Sequence, residues 1–253
     1  MDILGKIFGD YHTHTKASDA MGTVRSNVEF AIKNQMKEVA ITEHGPRNLG
    51  IHMTWDKYMN QKKEIAQVQK EFPEIKIYFG VEADILNHEG QIDVTEEQKE
   101  SFELLIAGFH RFAMPYSYKD FLKYYLNGYF SFMIKPSKSV IKDNTRAMIN
   151  AVKKNKIDVL AHINNYSIVD PVEVAKVCAD YGTYMELNSK HIDLSVGDFE
   201  NMLKTDVLFI ANTDAHRSER VGEFTRVASY LKDYEIGDRL VNYMKIPDFR
   251  SRK

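Results

Sequence analysis

The stretch Ile7-Phe8-Gly9-Asp10-Tyr11-His12-Thr13-His14 reads as a β-strand that ends on two histidines. Two residues apart on an extended segment, His12 and His14 point the same way and can bind one metal ion together. The arrangement recurs along the chain. Thr42-Glu43-His44 follows Val39-Ala40-Ile41, and Gly80-Val81-Glu82 ends an apolar run, as do Gly108-Phe109-His110 and Ala161-His162. Thr213-Asp214-Ala215-His216 follows Val207-Leu208-Phe209-Ile210-Ala211 and repeats the spacing of the first pair. Histidines and carboxylates at the C-terminal ends of parallel strands converge on one mouth of an α/β barrel, where active sites sit.

Outward from that stretch, strand-like runs at 3–11, 37–42, 75–81, 102–109, 157–163, 183–187 and 207–211 alternate with helical stretches at about 24–35, 55–71, 170–181 and 219–233. Asn87-His88-Glu89-Gly90-Gln91 reads as a hairpin turn. Seven strands in βα order predict an α/β fold with a mainly parallel sheet, closed or nearly closed into a barrel. One domain over residues 1–253 is expected, since no Pro/Gly/Ser-rich linker divides it. An aromatic-rich helical insertion is expected at about 113–150, with Tyr116, Tyr118, Phe121, Tyr124, Tyr125, Tyr129, Phe130 and Phe132 and a break near Lys135-Pro136-Ser137. It reads as a lid, an oligomer contact or plain packing onto the barrel. A helical tail is expected at about 234–253.

Bulk composition narrows the function. With 43% hydrophobic and 28% charged residues the chain is ordinary for a soluble globular protein. A formal net charge of −2 provides no basic face for gripping a long nucleic acid. No apolar run approaches the roughly 18 residues of a membrane span, and no signal-peptide pattern opens the chain. Cys178, the single cysteine, reads as a buried helical thiol; the absence of disulfides agrees with a cytoplasmic location.

A barrel places its last strand beside its first, so Asp214 and His216 become neighbours of His12 and His14. Glu82 can bridge two ions with its two oxygens. His110 and His162 would complete a second ion, and Asp19 and His44 would join His216 around a third. His52, His88 and His191 default to solvated loops. Three divalent ions against the three carboxylates Asp19, Glu82 and Asp214 leave a centre of net positive charge, suited to a phosphate dianion and to making hydroxide available at neutral pH. The expected reaction is attack of metal-bound hydroxide on phosphorus, with Glu82, Asp214 and His216 as the catalytic set. Arg217, Arg111 and Arg47, each next to or near a motif, are candidate phosphate clamps. Histidine and carboxylate ligands without thiolate suit zinc, manganese or iron.

His12-Thr13-His14, Asp19, Thr42-Glu43-His44-Gly45-Pro46, Gly80-Val81-Glu82-Ala83, Ala107-Gly108-Phe109-His110, Ala161-His162, Glu186-Leu187-Asn188 and Thr213-Asp214-Ala215-His216 together resemble the motifs of the PHP (polymerase and histidinol phosphatase) family. The similarity is greatest to its stand-alone YcdX-type phosphatases. It implies a distorted (β/α)7 TIM-like barrel with a trinuclear metal centre. It also implies the ligand sets: His12, His14, Glu82 and Asp214 for the first ion; Glu82, His110 and His162 for the second; Asp19, His44 and His216 for the third. Asp19 stands where the YcdX-type members have a histidine.

The reading that follows is a phosphatase acting on a small phosphorylated substrate, histidinol phosphate among the candidates. A phosphodiesterase or exonuclease on short oligonucleotides is an alternative within the fold. An amidohydrolase also opens on His-x-His but typically bridges its metals with a strand-four lysine, where this chain has Phe109-His110. A structural PHP interaction module would be expected to lose ligands, and all nine positions are filled.

Overall fold

The computed structural model describes residues 2–122 and 136–249. Seven parallel strands lie in chain order: β1 (Gly9–Asp10), β2 (Glu38–His44), β3 (Lys76–Asp84), β4 (Leu104–Gly108), β5 (Val159–Leu160), β6 (Tyr184–Asn188) and β7 (Phe209–Asn212). The crossovers carry α1 (Val24–Lys33), α2 (Trp55–Glu71), α3 (Glu96–Lys99), α4 (Tyr118–Asp120), α5 (Lys138–Lys154), α6 (Pro171–Tyr181) and α7 (Val196–Met202), and α8 (Thr225–Leu231) follows β7. This is the expected α/β barrel. Among the described residues no helix is long and apolar enough to cross a membrane.

Local chemistry sets the helix limits. α2 begins where the Thr54 hydroxyl accepts from Lys57 N, and α5 where Ser137 accepts from Val140 N. At α6, Asp170 caps the first turn, Pro171 occupies the first helical position, and Gly182 ends the helix at φ +66°. Cys178 lies on its buried face.

Two layers of core follow from the period of two along each strand. Residues facing the helices form the larger cluster, with Val39, Ile41, Ile77, Phe79, Val81 and Leu105 among its members. Tyr78, Leu104, Ile106, Val159, Tyr184 and Ile210 fill the barrel, and the ring of Phe249 plugs it 5.0 Å from the ring of Tyr11. Further along the same inward faces come Glu82, Glu186 and Asn212, so β3, β6 and β7 turn polar as they near the mouth.

Several expectations need correction. The first strand is two residues long, because Gly5 at φ +68° turns the chain and Ile7 pairs antiparallel with Tyr243. The segment expected as one helix at 219–233 is a 3-10 turn (Ser218–Arg220) and α8, separated by Gly222 at φ +80°. Within the expected helical tail, residues 234–249 hold one 3-10 turn, Gly237–Arg239, with Gly237 at φ +42°. That tail seals the barrel instead. Val241 N donates to Phe209 O (2.8 Å), Phe8 N donates to Asn242 O (2.7 Å), and the Asn242 side chain spans the seam between β1 and β7. Its Nδ2 donates to Gly9 O (3.0 Å) and Ala211 O (2.7 Å), while Oδ1 accepts from Ala211 N (3.1 Å). Nearer the mouth the backbone closes the seam itself, His14 N donating to Ala215 O at 2.9 Å.

Residues 85–92 form the expected hairpin, with Leu86 N donating to Gln91 O at 2.8 Å. Of the insertion, α5 follows the Pro136-Ser137 break as expected, whereas Tyr124, Tyr125, Tyr129, Phe130, Phe132 and Lys135 lie outside the described residues.

Candidate metal centre

Glu82, near the end of β3 and 1% exposed, lies at the centre of the mouth. Its Oε1 lies 3.2 Å from His12 Nε2, 2.9 Å from His110 Nε2 and 2.7 Å from His162 Nε2. Its Oε2 lies 3.0 Å from His44 Nδ1 and 3.5 Å from His14 Nε2. Asp214 Oδ1 approaches His14 Nε2 (3.4 Å), His216 Nδ1 (3.2 Å) and His12 Nε2 (3.9 Å). Asp19, on the loop after β1, lies 3.5 Å from His44 Nε2 and 3.4 Å from His216 Nε2. All nine residues singled out from the sequence therefore meet at one mouth.

Three sets of donor atoms lie within 4.8 Å of one another: His12, His14 and Glu82; His44, Glu82 and His110; and His14, Asp19, His44 and His216. These overlap the three sets implied by resemblance without coinciding. His14 also reaches the outer group, and His44 stands between Glu82 and Asp19.

The donor set fits cations. His12 Nε2, both ring nitrogens of His14, His44 Nδ1, Glu82 Oε2 and Asp214 Oδ1 are buried without a hydrogen-bond partner, although carboxylate and imidazole stand within 4 Å. A native interior seldom leaves so many polar atoms unsatisfied at one point, and a metal ion satisfies them together.

Electrostatics agree. Burial opposes ionisation of Glu82, but His110, His12 and His44 outweigh it and hold the carboxyl well below its usual range. Burial likewise opposes protonation of His12, and Glu82, Glu186 and Asp214 overcome it, raising that imidazole well above its usual value. His14 goes the other way: burial, then the neighbouring His44 and His216, push it well down. At His216 burial is overcome by Asp19 and Asp214, and its pKa rises to about 10. Opposing shifts within one buried cluster are common at functional sites.

The backbone adapts to the cluster. His162 has φ +29° and Asp214 φ +53°, left-handed conformations that turn both side chains off their strand ends. Gly108 leaves room for the ring of His162, since a Cβ there would stand 2.8 Å from His162 Cε1 and displace it.

Sequence reasoning missed the carboxylates behind the imidazoles. Glu186 Oε1 lies 2.8 Å from His12 Nδ1, and Asp84 Oδ1 lies 2.5 Å from His110 Nδ1. Each fixes a ring so that its other nitrogen faces the cluster. The signal for Asp84 was present, two residues after Glu82 on the same inward face. Glu43, beside His44, is held by Thr15, Ser18 and Gln61; its Oε2 lies 3.9 Å from His14 Nδ1.

The arginines separate. Arg111 borders a cavity of about 400 Å³ above the cluster, shared with Lys190, Phe112 and Tyr166, and its guanidinium lies 5.7 Å from the Tyr166 ring. Arg217 borders the adjoining cavity on the β7 side. Arg47 is engaged elsewhere: Nε donates to Met114 O at 2.7 Å, and the guanidinium lies 4.1 Å from the Tyr116 ring. Of the three histidines expected in solvated loops, only His52 is exposed; His88 and His191 are half-buried, His191 with its ring 6.5 Å from that of His162.

Residues 10–195 match the PHP domain. A "Probable phosphatase" of Acetivibrio thermocellus is 27% identical over 253 residues, covering 96% of this chain and 94% of that protein. One from Proteus mirabilis is 28% identical over 236 residues, covering 89% and 85%. The crystal structure of histidinol phosphate phosphatase from Lactococcus lactis, complexed with zinc, L-histidinol and phosphate, shares the fold, with a TM-score of 0.63 at 18% identity and 98% of each chain covered. With the barrel, the ligand cluster and a match over most of its length in agreement, the chain belongs to the PHP domain family.

Proposed function

We propose that the protein is a metal-dependent phosphatase that hydrolyses a small phosphomonoester at a trinuclear centre. The observation that carries this reading is the convergence of His12, His14, Asp19, His44, Glu82, His110, His162, Asp214 and His216, with unsatisfied buried donors, at the floor of an open cavity. The names of the relatives and the zinc and phosphate bound by the Lactococcus lactis enzyme support it. Three divalent ions (zinc, manganese or iron), when bound, would supply an activated water and offset charge on the phosphoryl oxygens.

The chain's own residues do the rest. Glu82, whose two oxygens face different imidazoles, would help hold the ions, and Asp214 and His216 would complete the catalytic set. Asp84 and Glu186 keep His110 and His12 in the ligating orientation. Arg111 borders the cavity and would bind phosphoryl oxygens as they enter. One domain spanning residues 1–253 carries the site.

Metal analysis of the purified chain, paired with hydrolysis of an aryl phosphate after adding manganese or zinc, tests the proposal. Stoichiometric metal and metal-stimulated hydrolysis are expected. A chain that retains no metal and gains no activity overturns it.

A further inference from the structure

A second cavity, of about 440 Å³, adjoins the mouth on the β7 side and shares Lys190, Asp214 and His216 with it. Arg217, Arg220 and Arg226 complete a cationic wall, with Glu223 as the other acidic residue besides Asp214. The charges are unevenly neutralised. Arg220 pairs with Glu223, and Lys190 Nζ lies 3.6 Å from Asp214 Oδ1, a carboxylate already turned towards the histidines. Arg226 Nη1 donates to Lys190 O at 2.6 Å, which fixes the backbone that carries the lysine. Arg217 is exposed and, among the described residues, pairs with no carboxylate.

We propose that this cavity is a second anion subsite, so that the substrate is a phosphomonoester whose alcohol carries a further anionic group. The inference rests on the phosphatase reading and specifies the substrate class. With the ester phosphate at the ligand cluster, the alcohol extends past His216 into the cavity. There Lys190 and Arg217 receive a carboxylate or a second phosphate, and Arg226 orders the wall. A cationic alcohol would meet like charge at the same place. A guanidinium without a fixed carboxylate partner favours an incoming anion, since it gives up no existing ion pair on binding.

The test uses the metal-loaded full chain and four substrates: glycerol 3-phosphate, 3-phosphoglycerate, fructose 1,6-bisphosphate and O-phosphoethanolamine. One strong charge-assisted contact predicts kcat/KM about tenfold or more above glycerol 3-phosphate for the carboxylate or the bisphosphate, and O-phosphoethanolamine lowest. The carboxylate and bisphosphate arms show which anion the cavity takes. Arg217→Glu should bring the preference to within about threefold of parity, with Arg217→Lys retaining most of it. Arg217→Ser provides a second reading if the charge reversal does not fold. Equal efficiency on all four substrates overturns the subsite and leaves the phosphatase reading standing, as does a preference that survives Arg217→Glu and Arg217→Ser. Hydrolysis of none of them overturns the subsite, and the phosphatase reading falls with it only if the aryl phosphate is also left intact.

Discussion

Glu186 Oε1 stands 2.8 Å from His12 Nδ1 at the floor of the mouth, and this contact fixes which nitrogen of His12 faces the cluster. Asn212 and Asn188 donate to the same carboxylate, at 3.0 and 2.8 Å, and His162 N donates to it at 2.9 Å. Glu186 thus joins β5, β6 and β7 to the first histidine of the chain.

Glu186→Gln removes the charge and sets an amide N–H against these donors. Metal affinity should fall by about 10- to 100-fold, the usual cost of losing a carboxylate behind a metal-bound histidine. Chelator competition measures it, with circular dichroism to confirm that the fold survives. Unchanged affinity would show that Glu186 is only a core contact.

Glu82→Ala removes the carboxylate nearest to five imidazoles. The variant should lose about 100-fold or more in aryl phosphate hydrolysis, as one electrostatic group at a reacting centre commonly does. It should also retain fewer metal ions per chain. Hydrolysis at the wild-type rate would end the bridging assignment.

Asp10, fully buried beneath the mouth, accepts from Thr213 N and Gly222 N, yet burial outweighs these bonds and raises its pKa from 3.8 to about 6. The folded chain therefore holds this proton more tightly than the unfolded one. The group's contribution is fully present below pH 3.8 and is lost as pH rises through 6. The full change is about 3 kcal/mol. Measured by denaturant unfolding, wild type should lose stability relative to Asp10→Asn between pH 4 and 7. A constant difference across that range would refute the shift.

Asn242→Ala strands Gly9 O, Ala211 O and Ala211 N at the barrel seam. Leaving such buried groups unpaired should cost about 2–4 kcal/mol in unfolding free energy. Asn242→Asp, which sets a buried carboxylate oxygen against the Gly9 and Ala211 carbonyls, should cost at least as much as alanine. A loss below about 1 kcal/mol for alanine would mean that the backbone closes the seam alone.

Much of this was legible in the chain itself. Strand-end histidines are visible because the period of two and the apolar runs before them are local, and α2 spans the expected 55–71. The partners of Glu186 and Asn242 were not, because those hydrogen bonds join residues 174 and 233 positions apart with no periodicity to mark them. The contacts of Arg47 were hidden for the same reason. Its distance from His44 is short in sequence, but Met114 O, 67 residues away, takes its guanidinium. The tail misled through its composition, since helix-compatible residues surround Gly237, whose positive φ is incompatible with a continuous helix and stands at the start of a short 3-10 turn.

The tail that carries Asn242 and Phe249 also covers the two outer strands of the sheet. β1 and β7 are the two ends of the seven-strand order, and an uncovered strand end is a template for pairing with another chain. Residues 240–243 occupy those edges, Leu240 bridging to Phe209 and Tyr243 to Ile7. A chain cut before Leu240 would keep every metal ligand and still expose two adhesive borders. Its fate would be decided by protein concentration as much as by chemistry at the mouth.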